Sequence, residues 1–120
     1  MKQEIGKALL VVFMNPEAEV EGKLNKWYNQ SHVPERVAVP GILSARRFEL
    51  VDGEGAYKYL AIYELENAEV LDSEVYLELR DTSIPMDFER PKVQRYVYRQ
   101  VFPEAGAFED KSGPQSAAGS

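Results

Sequence analysis

Apolar and polar positions alternate along this chain in two different periods. Lys7 to Met14 (KALLVVFM) is almost wholly apolar and rich in Val and Leu, the pattern of a strand covered on both faces. Asn15-Pro16 breaks it. From Ala18 to Ser31 the period becomes helical, with Val20, Leu24, Trp27, Tyr28 and Ser31 on one side and Glu21, Lys23, Asn25, Lys26 and Asn29 outside that stripe. Pro34 disfavours helical geometry at Val33, so this helix is expected to end near His32, with one short turn over Glu35–Ala38. After the Pro40-Gly41 turn, Ile42 to Val51 and Tyr57 to Leu65 read as two strands joined by Asp52–Gly55, an antiparallel hairpin. The second of these sets Tyr57, Tyr59, Ala61 and Tyr63 on one face.

A second helical region runs from about Ala68 to Arg80, with Leu71, Val75 and Leu79 on one face. Asn67 and Ser73 both have N-cap chemistry, so it divides naturally into two short pieces. Ser83 to Pro91 reads as an irregular linker, and Lys92 to Phe102 as a last strand stopped by Pro103. The order is β-α-β-β-α-β, which in a chain this short predicts an α+β, ferredoxin-like domain: a four-stranded antiparallel sheet with both helices on one face. The domain is expected over residues 1–104. A tail rich in Gly, Ala and Ser follows over 105–120 and is expected to be flexible and solvated, the alternative being an arm that its sole aromatic, Phe108, pins on a partner. Two helices cover only one sheet face, and either choice leaves an apolar, aromatic face open. The expectation is a homodimer through the sheet faces.

Composition narrows the function. With 120 residues the chain holds one domain, and its net charge of −6 argues against nucleic acid and anionic lipid as partners. The chain has no cysteine, which removes disulfides, thiolate metal sites and a Cys nucleophile. No segment reads as targeting or membrane-spanning, so the expected location is cytoplasmic. No glycine-rich phosphate loop is present, and one His with scattered carboxylates organises no metal site. The expectation is that no metal or organic cofactor is used.

The stretch from 27 to 48 holds the only Trp, the only His and two adjacent arginines. Its runs Trp27-Tyr28-Asn29, His32-Val33-Pro34-Glu35, Ala38-Val39-Pro40-Gly41 and Ser44-Ala45-Arg46-Arg47-Phe48 resemble the EthD-like proteins of the dimeric α/β-barrel superfamily. The resemblance implies two ferredoxin-like subunits packed sheet to sheet, with a pocket in each between sheet and helices. Relatives of that superfamily include cofactor-free monooxygenases, isomerases, polyketide cyclases and heme-binding branches, so the fold does not give the reaction.

His32 is the candidate acid/base, since imidazole gives and takes protons near neutral pH. Its bland alternative is a helix-end His that bonds backbone groups or Glu35. Tyr28 lies four residues earlier on nearly the same face and is the candidate hydrogen-bond donor, or else a half-buried aromatic. Trp27, Arg46 and Tyr63 are candidate substrate-binding residues, with packing the alternative for the two aromatics. Arg46 and Arg47 must point to opposite sheet faces, and a salt bridge to Glu64 or Glu49 is the alternative for whichever turns inward. The expected function is a small cofactor-independent enzyme acting on a hydrophobic or aromatic carbonyl metabolite by His-mediated proton transfer, of isomerase, cyclase, lyase or cofactor-free oxygenase type. The alternatives are a non-catalytic module that binds a hydrophobic metabolite, and a structural dimer.

Overall fold

A computed structural model describes residues 6–80 and 92–110 of the chain. The expected linker from Ser83 to Pro91 and the tail beyond 110 lie outside the described residues. Four strands, β1 (Ala8–Asn15), β2 (Ile42–Glu49), β3 (Tyr59–Leu65) and β4 (Lys92–Arg99), form one sheet in the order β2-β3-β1-β4. Every neighbouring pair is antiparallel, and β1 sits between β3 and β4. This is the α+β, ferredoxin-like arrangement predicted from the element order. The continuous apolar run of β1 is what a central strand needs, since a helix layer lies on one of its faces and apolar neighbours on the other.

The helices cover the sheet face that carries Leu10, Val12 and Met14 of β1 and Tyr59, Ala61 and Tyr63 of β3. Tyr63 is 1% exposed and Leu24, which descends from the first helix, is fully buried. The opposite face carries Leu9 and Phe13 from β1, Leu60 and Ile62 from β3, and Tyr96 and Tyr98 from β4. Tyr57 does not join the tyrosine row of β3. It precedes the strand, and its ring lies 5.9 Å from Phe13 of the uncovered face.

The first helical region departs from expectation at Pro34. α1 (Glu21–Trp27) does not end at His32; it passes through a π-helical turn, Tyr28–His32, into α2 (Val33–Val37). The Val33 N–H donates to the Tyr28 carbonyl five residues back. Pro34 has no N–H, and its ring would crowd the carbonyl four residues before it in a regular helix. The wider turn makes room for the ring, and Pro34 then falls in the first turn of α2, where the missing donor costs nothing.

The second region does divide at Ser73, into a 3₁₀ turn (Ala68–Asp72) and α3 (Glu74–Arg80), with the Tyr76 N–H donating to Ser73 Oγ at 3.2 Å. Because the helix breaks there, the four-residue spacing from Leu71 to Val75 carries no meaning. Val75 is exposed, and Tyr76 is the buried residue of α3. Gly41 turns the chain into β2 at φ +95°, and a Cβ there would lie 2.5 Å from Val70 Cγ2. Past β4, the Gln100 side chain donates to the carbonyls of Pro103 at 2.6 Å and Gly106 at 2.9 Å, and Phe108 lies 6.1 Å from Phe102. No helix among the described residues is long and apolar enough to cross a membrane.

Candidate functional site

A cleft of about 420 Å³ opens between the covered sheet face and the helices. Its apolar floor comes from Leu10, Val12 and Met14 of β1 and Val93 of β4, since alternate residues of these strands share one face. Its polar groups come from the continuous helix (Tyr28, His32 and Arg36), from β3 (Tyr63), from α3 (Tyr76 and Arg80) and from β4 (Arg95). Trp27 lines it as well.

His32 is stacked between rings, 4.7 Å from the Trp27 centroid and 4.7 Å from that of Tyr28. Among the described residues it bonds no backbone group and pairs with no carboxylate, Glu35 included. Burial lowers its pKa to about 4, and the positive charges of Arg36 and Arg47 push in the same direction. At neutral pH the ring is therefore an uncharged imidazole, able to accept one proton and donate another. Burial raises the pKa of both Tyr28 and Tyr63, so both phenols remain protonated donors. The Tyr63 hydroxyl is buried and interacts with the phenol of Tyr28.

Two arginines inside the cleft share Tyr76. Arg36 is 8% exposed; its guanidinium lies 5.9 Å from the Tyr76 ring and gives one N–H to the Leu79 carbonyl at 3.0 Å. Arg95 donates to Tyr76 Oη at 3.0 Å. Neither pairs with a carboxylate among the described residues. Behind the cleft, Arg47 braces Tyr28. Its guanidinium lies 4.5 Å over the Tyr28 ring and donates to Asn29 Oδ1 at 2.8 Å and Asn25 Oδ1 at 2.9 Å. Tyr59 extends this brace by donating to Glu21, which also pairs with Lys58 at 2.7 Å.

The structure thus brings together Trp27, Tyr28, His32 and Tyr63 of the residues singled out from sequence. It does not bring Arg46. A β-bulge between Ile42 and Ser44 shifts the register of β2, so that Ala45 and Arg47 face the helices opposite Tyr63 and Ala61. Arg46 projects from the other face, 5.1 Å from the Phe48 ring. One extra residue in a strand inverts every side chain beyond it. The salt bridge considered for the inward arginine is not made either: Arg47 is held by two asparagines, and Glu64 accepts from the Gly6 N–H.

Sequence reasoning missed Arg36, Tyr76, Arg80 and Arg95. Arg36 stands four residues after His32, a spacing that counts only once the helix is known to continue. Arg95 belongs to the alternating row Val93, Arg95, Val97 and Arg99, whose inward face was not assigned. Among the described residues no three His, Asp or Glu side chains gather closely enough to hold a metal ion.

Comparison with known proteins adds a family and a fold. A family model described as a domain of unknown function, DUF4286, matches residues 7–113. The chain belongs to the DUF4286 family. No curated protein sequence matches it. Among solved structures, a protein from Shewanella loihica described as a candidate monooxygenase aligns with a TM-score of 0.62 at 13% identity, over 82% of this DUF4286 chain and 98% of its own. The heme-degrader MhuD from Mycobacterium tuberculosis, with two hemes bound in its active site, gives 0.58 at 14% identity, over 82% and 99%. An EthD family protein from Bacillus halodurans gives 0.58 at 10% identity, over 79% and 99%. The DUF4286 chain therefore has the fold of the dimeric α/β-barrel subunit that its resemblance to EthD-like proteins implies. At these identities the likeness is one of fold.

Proposed function

We propose that this DUF4286 protein is a small enzyme that moves a proton on an apolar or aromatic carbonyl compound held in the cleft. His32 takes the proton, and Tyr28 and Tyr63 donate hydrogen bonds to the carbonyl oxygen. The observation that carries this reading is the uncharged His32 ring lining a cleft beside two protonated phenols. Withdrawing a proton from the carbon next to a carbonyl puts negative charge on the oxygen. Fixed O–H donors in a partly dry site stabilise that charge more than water does. The step needs no redox group, and the reading uses neither metal nor organic cofactor. The fold's occurrence in a heme-degrader and in a candidate monooxygenase is compatible with an enzyme but selects no reaction.

The same reading makes the protein a homodimer. The sheet face away from the helices carries Leu9, Phe13, Leu60, Ile62, Tyr96 and Tyr98, with Tyr96 and Tyr98 about half exposed in the single chain at 45% and 55%. A second copy laid on this face buries a patch that a soluble monomer rarely leaves open. Sedimentation at micromolar concentration is expected to give twice the chain mass, and a monomer refutes the pairing.

The catalytic reading is tested on protein purified from its source cells. Native mass spectrometry identifies the bound compound, and exchange of its carbonyl-adjacent hydrogen for deuterium is followed in heavy water. The wild type is expected to catalyse exchange, and His32→Ala to lose about a hundred- to ten-thousand-fold of the rate. A bound compound that the wild type never exchanges assigns the cleft to storage or carriage instead.

A further inference from the structure

The reading above names a carbonyl compound and leaves the charge of the ligand open. We propose that the ligand of this cleft is a carboxylic acid, its carboxylate held by Arg36 and Arg95 on either side of Tyr76 and its apolar body lying over the β1 floor toward Trp27. The inference rests on the cleft being a ligand site, as proposed above, and it names the class of ligand.

The argument begins with charge. The chain carries 20 acidic residues against 14 basic ones, a net charge of −6. Yet its cleft is lined by Arg36 and Arg95, and by no Asp or Glu among the described residues. An acidic protein that concentrates positive charge in one concave place has a local potential opposite to its overall charge, which draws anions there. Burial strengthens the point. An arginine that is only 8% exposed ordinarily has a carboxylate beside it, because leaving water costs too much otherwise. Arg36 has a carbonyl and an aromatic ring instead. It has five N–H donors, of which Leu79 takes one. Arg95 likewise spends one on Tyr76. Both side chains line the cleft, so the donors left over belong to groups an anion in the cleft can reach.

Geometry selects a carboxylate with an apolar body. The two guanidinium groups flank a single tyrosine, which sets them at one end of the cleft. Leu10, Val12, Met14 and Trp27 make up the apolar remainder. A planar carboxylate matches the guanidinium fork with paired N–H donors, and neither Lys nor a glycine-rich loop is present in the lining to favour a phosphate. Binding an anion here also changes His32. Burial does most to hold its pKa down, and the charge of Arg36 adds to it; a carboxylate on Arg36 offsets that charge, so the imidazole becomes a stronger base when the substrate is in place.

The test uses three probes of one shape: 2-naphthoate, its uncharged counterpart 2-naphthamide, and 2-naphthyl phosphate. Binding is read from the C2–H proton signal of His32, which is unambiguous because the chain has one histidine. The expected result is that 2-naphthoate binds at least about ten-fold tighter than the amide, the scale of one or two charge-assisted hydrogen bonds, and raises the pKa of His32. Arg95→Gln, at an exposed strand position where folding is at little risk, is expected to reduce that preference several-fold. Equal affinity for acid and amide, or a preference that Arg95→Gln leaves undiminished, overturns the carboxylate while the cleft stands as a ligand site. Tighter binding of 2-naphthyl phosphate than of 2-naphthoate overturns it in favour of a phosphate. If none of the three moves the His32 signal, the ligand site itself fails and this inference with it.

Discussion

Replacing His32 with glutamine should remove a distinct part of the stability that this protein loses in mild acid. In the folded chain the imidazole has a pKa of about 4, against 6.5 for an unperturbed histidine. Between those values the unfolded chain binds a proton that the folded chain refuses, so acid favours unfolding. The contribution is fully present above pH 6.5 and is lost as the pH falls toward 4. At about 1.4 kcal/mol for each pH unit, the full difference is about 3 kcal/mol, and at pH 5 it is about 2 kcal/mol. Water reaching the cleft screens part of this, so a loss of about 1–2 kcal/mol at pH 5 is expected. Urea unfolding at pH 5 and pH 8, on the wild type and on His32→Gln, isolates the effect. The chain's 20 carboxylates titrate alike in both proteins and cancel in the difference. The wild type should lose about 1–2 kcal/mol more than the variant on going to pH 5. Titrating the His32 C2–H signal should give a midpoint near 4. Parallel stability profiles for the two proteins, or a midpoint at 6.5 or above, would refute the reasoning.

Three further substitutions test the surroundings of that ring. Tyr63→Phe removes a buried hydroxyl that interacts with the Tyr28 phenol, so it should change stability by no more than about 1 kcal/mol in urea unfolding; a larger loss means that the pair anchors the sheet to the helix. Arg47→Gln withdraws a positive charge from behind Tyr28, and should move the His32 titration midpoint upward while costing about 1–3 kcal/mol of stability. Gly41→Ala forces a Cβ onto Val70 at a positive φ, and should destabilise by more than about 1 kcal/mol, read as a lowered melting temperature.

The fold could be read from the sequence because its signals are local and repeated. The apolar run of β1, the tyrosine alternation of β3 and the N-cap at Ser73 each act within a few residues of themselves. The site was legible only in part, because its geometry depends on single-residue irregularities. The bulge between Ile42 and Ser44 leaves no mark in the apolar pattern of β2, yet it decides that Arg47 rather than Arg46 turns inward. Pro34 reads as a helix stop, and the turn that accommodates it depends on a bond from Val33 to Tyr28 that no composition rule anticipates. Arg36 was missed for that reason. Tyr76 was missed because a stripe counted from Leu71 runs across a break.

The π-helical turn also fixes a length. In a regular helix of 3.6 residues per turn, each four-residue step drifts by about 40°, so residues eight apart diverge by about 80°. Tyr28, His32 and Arg36 are spaced in that way, and all three line one cleft. The wider turn absorbs the drift. Deleting one residue between Tyr28 and His32 could restore a regular helix and even relax its backbone, but it would rotate everything after the deletion by about 100°. Arg36 would then leave the cleft, and the turn into Gly41 and β2 would lose its phase. Gln30 and Ser31, both exposed, can exchange for other residues with little consequence. Across relatives this helix is therefore expected to vary freely in which residues occupy its outer side and hardly at all in how many there are.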